Sequence, residues 1–205
     1  MKYITPRVFR RAMSSGNGKP VHFGPFEVTD QVFYTTPLCF ALVNLKPLVP
    51  GHVLVSPHRV VPRLTDLTPP ELSDLFLTVQ RVQRMIALTH FPAPGSPTEG
   101  GFNIAIQDGV EAGQSVPHVH CHVIPRQKKD GKGDGIYDEM AGEAGNVGGH
   151  LWDRARGMGA RPVPGGKFPK IEDADREPRS VEEMKVEAEE FRERMRELDE
   201  SELDA

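Results

Sequence analysis

The run His118-Val119-His120-Cys121-His122-Val123-Ile124 alternates imidazoles with apolar side chains and closes on Pro125-Arg126. An extended strand turns successive side chains to opposite faces. His118, His120 and His122 therefore share one face, and Val119, Cys121 and Val123 share the other. The apolar face reads as core. Three imidazoles on the opposite side serve no packing purpose, and the pattern predicts an exposed row of them. The rest of the chain has to build a sheet around this strand.

Candidate partners precede it. Val32-Phe33-Tyr34, Cys39 to Asn44 and His52 to Ser56 are short segments rich in strand formers, the last two joined by a Pro/Gly turn at Lys46-Pro47-Leu48-Val49-Pro50-Gly51. Thr68-Pro69-Pro70-Glu71 is a capping box with proline in the first turn. Leu72, Leu75, Phe76, Val79, Val82 and Ile86 follow it at helical spacing, which predicts one long amphipathic helix from Pro69 to His90. Phe102 to Gln107 alternates as a strand, and the loop Asp108 to Pro117 brings the chain back, so this strand and the histidine strand are expected to pair antiparallel. A second capping box, Ser180-Val181-Glu182-Glu183, opens a helix whose Val181, Met184, Ala188, Phe191, Met195 and Leu198 form a heptad-like seam, to dock on the body or on a second subunit. The fold class expected is α+β: a mostly antiparallel sheet of about five strands, one long helix and a C-terminal helix.

This divides the 205 residues into a basic N-terminal extension (1–21), a main body that carries the histidine strand (22–137), a Gly/Pro-rich insert that reads as mobile (138–179) and the C-terminal helix (180–200). No run of 18 apolar residues is present, so no membrane partner is expected. Residues 171–205 hold 15 acidic and 6 basic side chains within a net charge of -4, which leaves a mildly basic body suited to small anions. There is no Lys/Arg stripe with interleaved aromatics, and no nucleic-acid partner is expected. Cys39 and Cys121 sit in apolar segments and read as buried free thiols of a reducing compartment, the cytoplasm with the nucleus alongside it. The first 26 residues carry Lys2, Arg7, Arg10, Arg11 and Lys19 and no acid, which keeps a mitochondrial presequence open beside a plain basic extension.

Neutral imidazole is a nucleophile with an ordinary pKa near 6.5. Attack on phosphorus gives a phosphoramidate that water then opens, so one hard nucleotidyl transfer becomes two easier ones. Neighbours two residues away lie about 6.5–7 Å off along a strand, within reach of a phosphate oxygen or leaving group. A metal site could use the same His-x-His face, although the neighbouring loop offers only Asp108 and Glu111 as further ligands. A chance alignment is the third reading.

The His-φ-His-φ-His-φ run resembles the signature of the histidine triad superfamily of nucleotide hydrolases and transferases. Phe40 to Asn44, Lys46 to Val55, Gln107 to Val116 and Pro125-Arg126 are similar to its fragile histidine triad branch, the diadenosine triphosphate hydrolases. The likeness covers Phe23 to Tyr137 and resumes from Ser180 to Arg196. It implies the histidine-triad fold, a homodimer, and hydrolysis of P1-P3-bis(5′-adenosyl) triphosphate to AMP and ADP through a nucleotidyl-histidine. By the same likeness His120 is the nucleophile, and His122 donates to a non-bridging α-phosphate oxygen. His118, supported by His52, orients the neighbouring ring. Gln107 lies at the scissile bridge, Gly113, Gln114, Ser115 and Val116 cradle the phosphates, and Asn44 binds the ribose. No cofactor or protein-bound metal is implied, only a divalent cation (Mg or Mn) accompanying the polyphosphate. Two other functions stay open: a nucleotide-binding signalling module, and a hydrolase of other nucleotidyl substrates such as adenylyl sulfate or nucleoside phosphoramidates. His22, His58, His90 and His150 read as surface or loop histidines, and no binding residue is assigned to Phe23-Gly24-Pro25-Phe26.

Overall fold

The computed structural model describes residues 19–92, 100–142, 145–155 and 179–203. The basic N-terminal stretch before residue 19, residues 93–99 and most of the Gly/Pro-rich insert lie outside the described residues. A small hairpin comes first, β1 (His22–Phe23) with β2 (Phe26–Glu27). The main sheet follows: β3 (Val32–Thr35), β4 (Cys39–Val43), β5 (Val53–Pro57), β6 (Gly101–Ile106) and β7 (Cys121–Arg126). Its order is β3-β4-β5-β7-β6 with every pair antiparallel. The five strands and the pairing of β6 with β7 are those expected from alternation and loop length.

The long helix α1 (Pro69–His90) starts on the anticipated box. The Thr68 N–H and hydroxyl both donate to Glu71 Oε2, at 2.8 Å each, and Arg59 clamps the same carboxylate. Its buried stripe is Leu75, Val79, Val82, Met85 and Ile86. Leu72 and Phe76 were expected in that stripe but are 39% and 45% exposed, because the sheet contacts a narrower arc than the apolar residues span. The C-terminal helix α4 (Val181–Leu203) docks on the body: Met184, Ala188, Phe191, Met195 and Leu198 are buried in the main core, while Val181, one turn too early to reach it, is 51% exposed. The nearly buried Arg81 of α1 pairs with Asp199 and Glu202 of α4 and locks the two helices together.

Part of the stretch expected to be mobile is helical. α2 (Gly135–Ala141) and α3 (Val147–Arg154) form there because each has something apolar to bury. Ile136 packs with Leu48, Val49 and Ile124, and Val147 and Leu151 join the main core, with Trp152 edge-on to Phe26 at 5.6 Å. Gly/Pro content masked these short apolar repeats. Along β7, Cys121 and Val123 join the core that contains α1. His122 and Ile124 face the other way, and the histidine face is therefore the one that α2 covers.

Candidate active site

His122 sits within β7 opposite Leu54 of β5 and Ala105 of β6, so two ladders hold its backbone. The predicted single strand from residue 118 is shorter than expected. The His118 N–H turns back to the Val116 carbonyl at 2.7 Å and the Val119 N–H bonds Val61 at 2.8 Å, so pairing begins only at Cys121. The His120 and His122 rings are still brought together, their centres 5.1 Å apart, while the His118 ring joins them through Phe23, which contacts both His118 and His120.

Their exposure corrects the sequence reading. His118, His120 and His122 are 0%, 1% and 0% exposed rather than a surface row. Phe23 of β1 supplies part of the cover, stacked on His118 at 5.5 Å and edge-on to His120 at 5.0 Å. Gly24 beside it has φ +57°, and a Cβ there would come within 2.6 Å of Val116, so glycine is needed where this hairpin meets the histidine loop. Phe23 and Gly24 are site residues that sequence reasoning missed; the aromatic-Gly-Pro-aromatic spacing of a tight hairpin was the available signal. A substrate reaches His120 only after part of this cover moves.

Hydrogen bonds fix the tautomers. The Leu48 N–H donates to His52 Nδ1 at 3.1 Å, so the proton of His52 is on Nε2. That proton points at His122 Nδ1, 3.0 Å away, which places the His122 proton on Nε2. The Gly24 N–H donates to His118 Nδ1 at 3.0 Å, and His118 Nε2–H donates to the Pro57 carbonyl at 2.8 Å. His120 Nδ1–H donates to the His118 carbonyl, which leaves the lone pair on its Nε2. Nε2 of His120 and Nε2 of His122 are both buried and have no hydrogen-bond partner among the described residues. The face thus presents one bare acceptor next to one bare donor, in a place where unmet polar groups are costly. His52 supports His122, not His118 as the resemblance implied, since β5 and β7 pair with Val53 opposite Val123. His118 is held instead by Gly24, Pro57 and Ser56.

Asn44, 1% exposed, directly follows β4. Its Oδ1 accepts from the Lys46 N–H at 3.1 Å, and its Nδ2 lies 3.4 Å from His52 Nε2. With that nitrogen already a donor, two donors face each other and the Asn44 amide has no acceptor there. Gln107 follows β6; its Nε2 donates to the Met140 carbonyl at 3.3 Å and its buried Oε1 has no partner among the described residues. Gly113, at φ +90°, lets the loop pass so close that a Cβ would come within 2.7 Å of the Gln107 amide. The Gln114 side chain ties to the Pro62 carbonyl at 2.7 Å, and Ser115 Oγ accepts from the Gly148 N–H at 2.9 Å, so both side chains serve to hold the loop in this state. Val116 is fully buried. Of the histidines left aside, His22 and His58 are exposed as expected, His90 is half-buried, and His150 is buried within α3. Among the described residues no group of three or more His, Cys, Asp or Glu is arranged to hold a metal ion.

Burial, which disfavours the charged ring, lowers all three pKa values: His118 to about 4, His120 below the ordinary imidazole value, and His122 well below it, with the facing rings of His120 and His52 adding to the effect. The rings are neutral at pH 7. The linkage sign follows: between about pH 6.5 and about 4 the unfolded chain binds protons that the folded rings refuse, so stability falls as pH drops through that window. Glu71, lowered to about 2 by its bonds to Arg59 and Thr68, adds a second loss below its ordinary value of 4.5. Thermal melts from pH 7 to 4 are expected to show Tm decreasing already above pH 5; a Tm constant down to that point contradicts buried neutral histidines.

A model of the HIT domain matches residues 25–129. The chain is 49% identical over 173 residues to the asymmetrical bis(5′-nucleosyl)-tetraphosphatase of Schizosaccharomyces pombe, covering 83% of this chain and 91% of that one. It is 42% identical over 200 residues to the bis(5′-adenosyl)-triphosphatase of Saccharomyces cerevisiae, covering 88% and 94%. The crystal structure of Plasmodium falciparum diadenosine triphosphate hydrolase in complex with cyclomarin A is similar with a TM-score of 0.59 at 26% identity, covering 89% of this chain and 88% of that one.

Proposed function

The chain belongs to the HIT domain family, and we propose from that membership and the site geometry that it hydrolyses dinucleoside polyphosphates, cleaving P1-P3-bis(5′-adenosyl) triphosphate to AMP and ADP. The observation that carries the reading is the bare acceptor–donor pair, His120 Nε2 beside His122 Nε2–H. In the first step the His120 Nε2 lone pair attacks the α-phosphorus. The P–N bond forms as the bond to the bridging oxygen breaks, and ADP leaves with that electron pair. His122 Nε2–H donates to a non-bridging oxygen as charge builds there. The substituted ring becomes cationic, and the His118 carbonyl at His120 Nδ1–H stabilises it. In the second step water attacks phosphorus and gives up a proton to solvent, the P–N bond breaks with its electron pair returning to Nε2, AMP leaves, and the neutral ring is restored.

Asn44 Nδ2, otherwise lacking an acceptor, donates to a ribose hydroxyl. Gln107, whose Nε2–H is on the Met140 carbonyl in this state, turns that donor to the bridging oxygen or the leaving phosphate. In this loop the N–H groups of Gly113 and Gln114 already donate to the Val110 and Gly109 carbonyls, at 3.0 Å each, which leaves those of Ser115 and Val116 for the phosphate chain. No resident metal takes part in these steps; a divalent cation, Mg or Mn, enters with the polyphosphate. A homodimer is part of the reading and is supported by β6: its outer edge pairs with no described strand, and Ile104 on it is 38% exposed. Light scattering is expected to give two chains for the wild type and one for Ile104→Lys; an unchanged mass in the variant overturns the edge-to-edge dimer.

The names of the two yeast relatives differ in phosphate number, so the assay uses both chain lengths. Purified protein is incubated with diadenosine triphosphate and with diadenosine tetraphosphate, each with and without chelator, and products are separated by chromatography. AMP and ADP from the triphosphate are expected. A stable complex with no turnover would instead favour a nucleotide-binding signalling module.

A further inference from the structure

We propose that Arg179, just before α4, is a positioning residue that sets the ribose contact of Asn44 from outside the sheet. Its guanidinium donates to the Asn44 carbonyl through both Nε, at 3.2 Å, and Nη2, and its backbone N–H donates to the Leu45 carbonyl at 3.1 Å. Glu187, two turns into α4, pairs with the same guanidinium at 2.6 Å; each side chain is about one-fifth exposed (20% and 21%). The cation is therefore held on two sides, by the helix and by the end of β4.

The arrangement matters because little else holds Asn44 at its main chain. Residues 44–52 leave the ladder between β4 and β5, and the Asn44 side chain spends its Oδ1 on the turn while its Nδ2 waits for a ligand. Turning the Asn44 peptide swings that Nδ2 away from its place beside His52, 3.4 Å from the ring's Nε2. A forked donor at the carbonyl resists the turn in a way that a single bond does not. The C-terminal helix thereby contributes to nucleotide selection while touching no reacting atom. The inference rests on the ribose role given to Asn44 above.

The test uses binding rather than turnover, so that it stands apart from the hydrolysis reading. AMP and its 2′,3′-dideoxy analogue are titrated calorimetrically into full-length wild type, Arg179→Gln, Arg179→Lys, Asn44→Ala and the double variant Arg179→Gln/Asn44→Ala. The wild type is expected to prefer AMP by about tenfold, the scale of one good hydrogen bond. Arg179→Gln loses most of that preference, Arg179→Lys keeps part of it, and Arg179→Gln adds nothing in an Asn44→Ala background. Equal weakening of both nucleotides by Arg179→Gln, with the preference intact, would make Arg179 a purely structural residue and overturn the proposal. A wild type that does not distinguish the nucleotides overturns it as well. A wild type that shows the preference but no turnover removes the hydrolase reading and leaves this one standing.

Discussion

His120→Ala is expected to stop turnover of diadenosine triphosphate, with kcat falling by roughly 10⁴-fold or more, the scale reached when a covalent nucleophile is deleted. The expectation follows from counting lone pairs. His118 has both ring nitrogens engaged, and His122 has its lone pair tied to His52. Of the three rings only His120 keeps an unengaged lone pair, on Nε2. His122→Ala removes a donor and spares the nucleophile, so its loss is smaller, about 10²–10³-fold, as for removal of one oxyanion donor. Steady-state kinetics on the two variants checks the order. Equal losses would mean that the rings act interchangeably, as in a metal site, and would contradict the tautomer assignment.

Phe191→Ala carries the largest expected effect on stability. The ring is 1% exposed at the centre of the α4 stripe, edge-on to Phe33 at 5.3 Å and to His90 at 6.0 Å. Truncating such a ring forfeits its transfer free energy and leaves a cavity, a loss of about 3–5 kcal/mol. For a chain of this size each kcal/mol lowers Tm by about 2–4 °C, so a fall of roughly 10 °C is expected in a thermal melt. Because α4 also carries the ion-pair partner of Arg179, loosening it should weaken nucleotide binding before the fold is lost. A Tm within two degrees of wild type would mean that α4 packs on this body less tightly than the burial of its stripe requires.

What the sequence made legible was what period and caps encode. Thr68 and Glu71 placed α1, alternation placed β6 and the Cys121–Arg126 part of β7, and the histidine spacing marked the imidazoles of the candidate site. Burial of the triad was not legible, because the cover comes from Phe23, nearly 100 residues upstream, and from a hairpin too short to show alternation. The same holds for His52. Its partner is set by β5–β7 register, which places it beside His122, and nothing local at Pro50-Gly51-His52 reveals that. The helices at 135–141 and 147–154 were hidden by glycine content, although Ile136, Val147 and Leu151 supply their buried contacts. Leu72 and Phe76 show the reverse error, apolar residues at helical spacing that the sheet does not reach.

The most direct test of a covalent nucleotidyl-histidine is to catch it. Wild-type protein mixed with excess diadenosine triphosphate is quenched in alkali, where a phosphorus–imidazole bond survives, and is then weighed intact and mapped by peptide mass. The expected result is a transient gain of one adenylyl group on the peptide carrying His118 to His122, absent from His120→Ala. AMP and ADP appearing at the full rate with no adduct at any quench time, or an adduct that persists in His120→Ala, would contradict the account.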